Sequence, residues 1–426
     1  MSRRGFMGTL GALAVTSDSL ASSTPVTGSS SAAVPGASMS PWTPGTLDIH
    51  HISTGRGNCA FLLCPDGTSI MIDAGANSRT AGTEKFVIQT LPNESRRPGE
   101  WISRYVQPLL ASARRDSIDY FLLTHLHDDH MGGVTGLDLP RSVKGDYLLT
   151  GVTDVAEHIG IRKIIDRAYP SYSYPSALDT PSQRNYRAFL REHLASGGAA
   201  EQFLVGSSSQ IRLLREAQRY SSFGVRNLAA NGRIWTGRAA DTSSLFPQLD
   251  QLPPEDYPTE NKCSLAIRLD YGAFSYFSGG DLECDTSYGR LPWTDVETPV
   301  ARACGQVEVA VAGHHGYFNA CGPQWVRALR ARAFVISAWD SAHPTIPALE
   351  NMLSQALYPG ERDVFATAMK AENRIVTRRV SEMKSDSGHV VVRVFEGGAS
   401  FGIFVLDNTN ESFHVMRAFG PYACRT

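Results

Sequence analysis

The chain has 426 residues, 42% hydrophobic and 19% charged, an ordinary composition for a soluble globular protein. Its length allows one large α/β domain or two average ones, with a core that needs neither disulfides nor structural metal. With 40 basic and 42 acidic side chains and a formal net charge of −2, no electrostatic footprint for nucleic acid stands out.

Ser2-Arg3-Arg4-Gly5-Phe6-Met7 is followed by a weakly apolar stretch, Gly8 to Val15, and then by Ser19-Leu20-Ala21. This order resembles a twin-arginine export signal with a small-residue cleavage site. The expectation is a signal peptide over 1–21, a flexible leader over 22–45 and a periplasmic or secreted mature protein. The apolar run falls short of the roughly 20 residues that a membrane span requires, so no stable membrane insertion is expected. Seven cysteines (Cys59, Cys64, Cys263, Cys284, Cys304, Cys321 and Cys424) contain no closely spaced pair of the zinc type.

Organised sequence begins near Leu47. Leu47–Ile52, Cys59–Leu63 and Ser69–Ile72 read as strands separated by the turn residues Gly55-Arg56-Gly57-Asn58 and Pro65-Asp66-Gly67. Trp101–Leu110 carries a helical apolar stripe, and Ile118–Leu123 is a buried-type strand leading into His125. Residues 167–182 look irregular, and Arg184–Leu194 and Ser209–Tyr220 read as amphipathic helices. Ser264–Tyr271, Phe274–Phe277, Val307–Ala312 and Phe334–Ser337 follow as strands, with helices at Pro323–Ala331 and Ile346–Leu357. Val390–Phe395 and Phe401–Leu406 form a hairpin around Gly397-Gly398. Two strand-rich halves, each followed by helices, predict two packed sheets with helices outside. Residues 46–426 are expected to form one domain with a lid-like insertion at about 167–260.

Thr124-His125-Leu126-His127-Asp128-Asp129-His130 is the densest chemical signal. Imidazole and carboxylate suit zinc and its first-row neighbours. Residues two apart on an extended segment point the same way, so His125 and His127 can grip one ion. A turn then lets Asp129 and His130 face a second, while Asp128 points away.

This segment resembles the His-x-His-x-Asp-His signature of the metallo-β-lactamase superfamily. Ile70-Met71-Ile72-Asp73-Ala74-Gly75, Phe277-Ser278-Gly279-Gly280-Asp281 and Ala312-Gly313-His314-His315-Gly316 resemble its other motifs, in the expected order. The resemblance implies an α/β fold, a four-layer αββα sandwich with metals at one edge of the sheets. The metal ligands it implies are His125, His127, Asp129, His130, Asp281 and His314, with Asp281 bridging. Asp73 and His315 are expected to orient ligands rather than bind. Asp129 and His343 are the expected catalytic side chains, His343 by polarising or protonating a substrate oxygen.

Asn261-Lys262-Cys263-Ser264-Leu265, the doubled histidine and Ala342-His343-Pro344 resemble one branch in particular. It is the hydrolase domain of bacterial competence (DNA-uptake) proteins and its stand-alone relatives. Tyr317 replaces the serine usual after His-His-Gly. A further ligand histidine of classical members is expected to be absent, since His158 and His193 lack its Gly-His context.

The expected function is a metal-dependent hydrolase that uses hydroxide activated by two divalent ions, most naturally zinc, with manganese possible. A phosphodiester or related anionic small molecule, nucleotide-like in character, is the favoured substrate, with Arg184, Arg187 or Arg191 as candidate phosphate contacts. Nucleic acid is possible but not indicated by charge. A lactonase or β-lactamase type of hydrolase is the alternative, and a catalytically degenerate metal-binding module is the second.

Overall fold

The computed structural model describes residues 35–78, 85–136 and 138–425. The signal-peptide expectation over 1–21 and the leader up to residue 34 lie outside the described residues.

In chain order the first half runs β1 (Leu47–His51), β2 (Ala60–Leu63), β3 (Ser69–Ile72), α1 (Pro98–Ser112), β4 (Ser117–Leu123), α2 (Asp128–Met131), α3 (Gly151–His158), β5 (Gly160–Asp166), α4 (Pro181–Ala195) and β6 (Ala199–Gln202). The middle supplies β7 (Phe223–Ala230), β8 (Arg233–Trp235), β9 (Thr242–Ser244), β10 (Ala266–Tyr271) and β11 (Phe274–Ser278). The remainder holds α5 (Glu297–Cys304), β12 (Val309–Val311), α6 (Pro323–Leu329), β13 (Ala333–Ile336), α7 (Ile346–Leu353), β14 (Asp363–Ala366), α8 (Ala371–Val376), β15 (His389–Val394), β16 (Ser400–Leu406) and β17 (Val415–Ala423).

The strands form two sheets, one ordered β17-β16-β15-β1-β2-β3-β4-β5-β6 and the other β14-β13-β12-β11-β10-β7-β8-β9. Side chains alternate across each strand, so one strand feeds two cores. Ile70, Ile72, Tyr120 and Leu122 point between the sheets, where they share a core with Leu269, Tyr276, Val309 and Val335. Met71, Phe121 and Leu123 face the other way and pack under Ile102 and Val106 of α1 and Val152 of α3. Phe334 and Ile336 likewise face outward against Val300 of α5, Trp325 of α6 and Leu349 of α7. Helices outside two packed sheets make the four-layer αββα sandwich expected from the sequence.

The apolar runs of β3, β4, β12 and β13 are covered on both faces, as parallel strands usually are. β3, β4, β5 and β6 pair in parallel in the first sheet. β11, β12, β13 and β14 do so in the second. Loops leaving the carboxyl ends of β3, β4, β11 and β12 converge at one edge, the usual place for a ligand in such sheets.

One expectation differs. Ser209–Tyr220 forms no helix but a chain of turns, pinned where Leu214 and Arg215 donate backbone N–H groups to Thr68 Oγ1 and Asp66 Oδ2 (2.9 Å each). Those fixed acceptors hold the segment along the sheet edge, and its amphipathicity reflects Ile211 and Leu213 entering the inter-sheet core. The stretch at about 167–260, read as an insertion, contributes strands to both sheets. β6 joins β5, and β7 joins β10. β6 is thereby the terminal strand of the first sheet, and β7 leads on to β8 and β9 at the end of the second.

Candidate metal centre

Asp73 leaves β3 in a left-handed conformation (φ 58°), which a short carboxylate side chain tolerates better than most. It collects four hydrogen bonds. Oδ1 accepts from Thr124 N (2.7 Å), while Oδ2 accepts from Thr124 Oγ1 (2.8 Å), Asn58 Nδ2 (2.9 Å) and His130 Nδ1 (2.7 Å). Beyond it, a Cβ on Gly75 would stand 1.9 Å from the Asp129 carbonyl oxygen, so only glycine lets the two loops pass.

Three imidazoles share one pattern. His130 donates Nδ1–H to Asp73 (2.7 Å), His315 donates Nδ1–H to Ser337 O (2.8 Å) and His125 donates to Thr124 Oγ1 (3.2 Å). Each thereby turns Nε2 toward the cluster. The Nε2 atoms of His130 and His315 face each other at 3.3 Å, and His125 Nε2 faces His127 Nδ1 at 3.1 Å. Asp281 Oδ2 lies at the hub, 3.2 Å from His130 Nε2, 3.5 Å from His315 Nε2 and 3.7 Å from His125 Nε2. Asp129 Oδ2 lies 3.0 Å from His315 Nε2.

Among the described residues, Asp129, His130, Asp281 and His315 form a buried group whose ligand atoms all lie within 4.8 Å of one another. The sequence reading gives the last ligand place to His314 and a supporting role to His315; in the structure it is the His315 ring that joins this group. Both residues adopt left-handed backbone, φ 41° and 54°, where the chain leaves β12 and places His315 in the cluster. His314 is left half-buried at the rim, donating Nδ1–H to Asn319 Oδ1 (2.7 Å), with Nε2 3.9 Å from Asp281 Oδ2. Two consecutive non-glycine residues there store strain of the kind found at functional sites.

Electrostatics favour positive charge at the hub. Burial by itself would lower the His130 pKa, but Asp281, Asp129 and Asp73 overcome it and hold it well above the usual histidine value. His315 is likewise depressed by burial yet raised to about 9 by Asp281 and Asp129. Burial works against ionising Asp129 and Asp281, but His130 and His315 hold both carboxyls well below the usual range. His125 and His343 are pushed well below the ordinary value, first by burial and then by neighbouring imidazoles, and are neutral.

His343 stacks on His315 with ring centroids 4.9 Å apart, and its Nδ1 is sealed from solvent without a hydrogen-bond partner. The half-buried carboxyl of Asp128 turns aside to Ser182. His193 contacts Ala199 O (3.1 Å), and exposed His158 lies 3.7 Å from Asp154, so neither joins the cluster. Arg184 and Arg187 are both drawn to Asp179 rather than toward the hub.

Sequence reasoning missed the supports. Glu260 Oε1 accepts the N–H of Leu126 (2.8 Å), and Gln183 Nε2 donates to the Leu126 carbonyl (3.3 Å), so the peptide between His125 and His127 is held from both sides. Arg167, fully buried, pairs with Glu260 through Nε (2.7 Å) and Nη2, and with Asn231 Oδ1 (2.8 Å). Glu283 accepts from Asn261 Nδ2 (2.9 Å) and Lys262 Nζ (2.7 Å) beside the Asp281 loop. The adjacency of Glu260 to the Asn261 motif was the one available signal.

Residues 53–147 match the metallo-beta-lactamase superfamily. That stretch starts just after β1 and includes the His125–His130 loop, and so Asp129 and His130 of the cluster, while Asp281 and His315 lie beyond it. No curated protein matches the chain. Among solved structures, the chain is similar to a variant of CmlA beta-hydroxylase at 15% identity, covering 75% of this chain and 53% of that one, with a TM-score of 0.37. It spans about half the length of that protein. A metal-dependent hydrolase from Parabacteroides distasonis matches at 13% identity over 76% of this chain and 94% of that one, TM-score 0.33. The short form of human tRNase Z matches at 12% identity over 67% and 91%, TM-score 0.26.

Proposed function

We propose that this chain is a metal-dependent hydrolase holding two divalent ions, and that its substrate is a phosphodiester or related anionic ester. The observation that carries the reading is the pair of facing Nε2 atoms on His130 and His315, 3.3 Å apart beside two ionised carboxylates. Positive charge has to lie at that point, as protons on the rings or as a cation in their place, and the donor set is imidazole plus carboxylate, as zinc or manganese prefers.

On this reading Asp129, His130, Asp281 and His315 hold one ion, and His125, His127 and the shared Asp281 hold the other. When bound, two such ions make hydroxide available near neutral pH and neutralise charge on the substrate. Asp73, Ser337 and Thr124 fix the tautomers by occupying each Nδ1–H, which keeps Nε2 available. Neutral His343, beside His315, offers a ring N–H to a substrate oxygen. The resemblance to competence-type domains favours the phosphodiester over a lactone or β-lactam.

The test is hydrolysis of bis-4-nitrophenyl phosphate and of a β-lactam by protein reconstituted with zinc or manganese, with metal content measured on the same sample. Faster turnover of the phosphodiester supports the proposal. Preference for the β-lactam transfers it to the alternative class, and protein that binds no metal overturns it.

A further inference from the structure

The loop that delivers His315 continues into Tyr317 and Phe318, and the second of these packs on the first while leaving most of its ring in solvent. Phe318 is 60% exposed. A single exposed apolar ring is ordinary by itself; what sets Phe318 apart is that it ends a run of rings that begins at the cluster.

The ring is not loosely placed. His314, His315 and Gly316 are three successive left-handed residues, a turn with little freedom. Thr345 clamps it by donating N–H (2.9 Å) and Oγ1–H (3.2 Å) to Gly316 O. Tyr317 N donates to His314 O (2.8 Å), and Ala320 N donates to Tyr317 O (3.1 Å). Tyr317 meets His314 edge-on at 5.2 Å and His343 edge-on at 6.0 Å, and Phe318 meets Tyr317 at 4.7 Å. A continuous run of rings therefore leads outward from the cluster: His315, His343, Tyr317, Phe318.

We infer that Tyr317 and Phe318 form a stacking subsite for a planar aromatic ring carried by the substrate, one substituent away from the anionic group at the metals. The inference rests on the hydrolase reading above and adds to it the chemical class of the substrate's side group. The occupant is an aryl or heteroaryl ring rather than an alkyl chain, because the wall offers ring faces and edges set at 61° to 83° to one another. Such a wall accepts a further ring edge-to-face or offset-stacked, which a flexible chain cannot reproduce.

The experiment measures equilibrium binding of phenylphosphonate and methylphosphonate to zinc-loaded protein by calorimetry, for wild type, Phe318→Ala and Phe318→Trp. Wild type should prefer the phenyl compound by about tenfold, the scale of one good ring contact. Phe318→Ala should bring that ratio near one while leaving methylphosphonate affinity unchanged, and Phe318→Trp should restore it. A wild-type ratio near one, or a ratio that survives Phe318→Ala, overturns the inference. So does dissociation of a wild-type dimer by Phe318→Ala with selectivity intact, which would make the ring an interface residue. If neither phosphonate binds, the anionic phosphoester reading fails, and the same comparison with benzoate and acetate decides the subsite by the same ratio.

Discussion

His130 and His315 come from loops 185 positions apart, yet their Nε2 atoms face each other at 3.3 Å while each Nδ1–H is already committed elsewhere. On the proposed two-metal reading, His315 is the second imidazole of the Asp129 site. His315→Ala should therefore lose about one equivalent of bound metal together with activity, whereas His314→Ala should keep that equivalent, because His314 faces Asn319. Metal analysis of the two purified variants checks this. Loss of the equivalent from His314→Ala alone would reverse the assignment.

Asp73 touches no hub atom but aims His130. Asp73→Asn keeps a side chain that tolerates φ 58°, so the fold should persist. The amide cannot receive all four hydrogen bonds that the carboxylate takes from Thr124, Asn58 and His130. Metal affinity should fall about 10–100-fold, as for other partners that orient a ligand histidine. Competition with a chelator of known affinity gives the number, and an unchanged affinity would remove Asp73 from the site.

What could be read from the sequence follows from what is local. β3, β4 and β11 are short apolar runs ending in Asp73, His125 and Asp281, so strand and motif announce each other within a few residues. The order of His314 and His315 depends on two left-handed backbone angles, and nothing in Gly-His-His-Gly specifies which ring turns inward. Ser209–Tyr220 has the apolar spacing of a helix, yet Asp66 and Thr68, far off in sequence, take its backbone hydrogens. Glu260 and Gln183 act on Leu126 across 134 and 57 positions, a relation that no spacing along one chain can reveal.

Glu260 and Arg167 supply a prediction of their own. Arg167 is fully buried, so Arg167→Met leaves the Glu260 carboxylate without its partner and should cost about 3–5 kcal/mol of stability. The double variant Arg167→Met/Glu260→Gln removes the stranded charge and should recover a good part of that loss, a coupling that a double-mutant cycle measures by urea denaturation. The side-chain amide introduced by Glu260→Gln keeps a carbonyl oxygen that can accept from Leu126 N, so the double variant should also bind metal better than Glu260→Ala. Additive losses would show that the two side chains act separately.

The last prediction concerns acid stability, set by three buried histidines remote from the hub. Burial holds His50 at a pKa of about 4, and His51 and His389 at about 3, against the ordinary value of 6.5. Between pH 6.5 and those values the unfolded chain binds protons that the folded chain refuses. Stability contributed by each neutral ring is therefore fully present above pH 6.5 and is lost as pH falls toward 4, by about 1.4 kcal/mol per pH unit per group. His51 isolates the effect, because both its ring nitrogens are buried without a partner and its ring packs beside Tyr276 at 5.9 Å. His51→Phe keeps a ring of similar shape against Tyr276 and removes the titrating group. In metal-free protein, urea denaturation at pH 7, 6 and 5 should show a pH slope shallower by about 1.4 kcal/mol per unit in the variant below pH 6.5. Stability at pH 7 should not fall, since no hydrogen bond is broken. An unchanged slope would mean that His51 takes up its proton in the folded state as easily as in the unfolded chain.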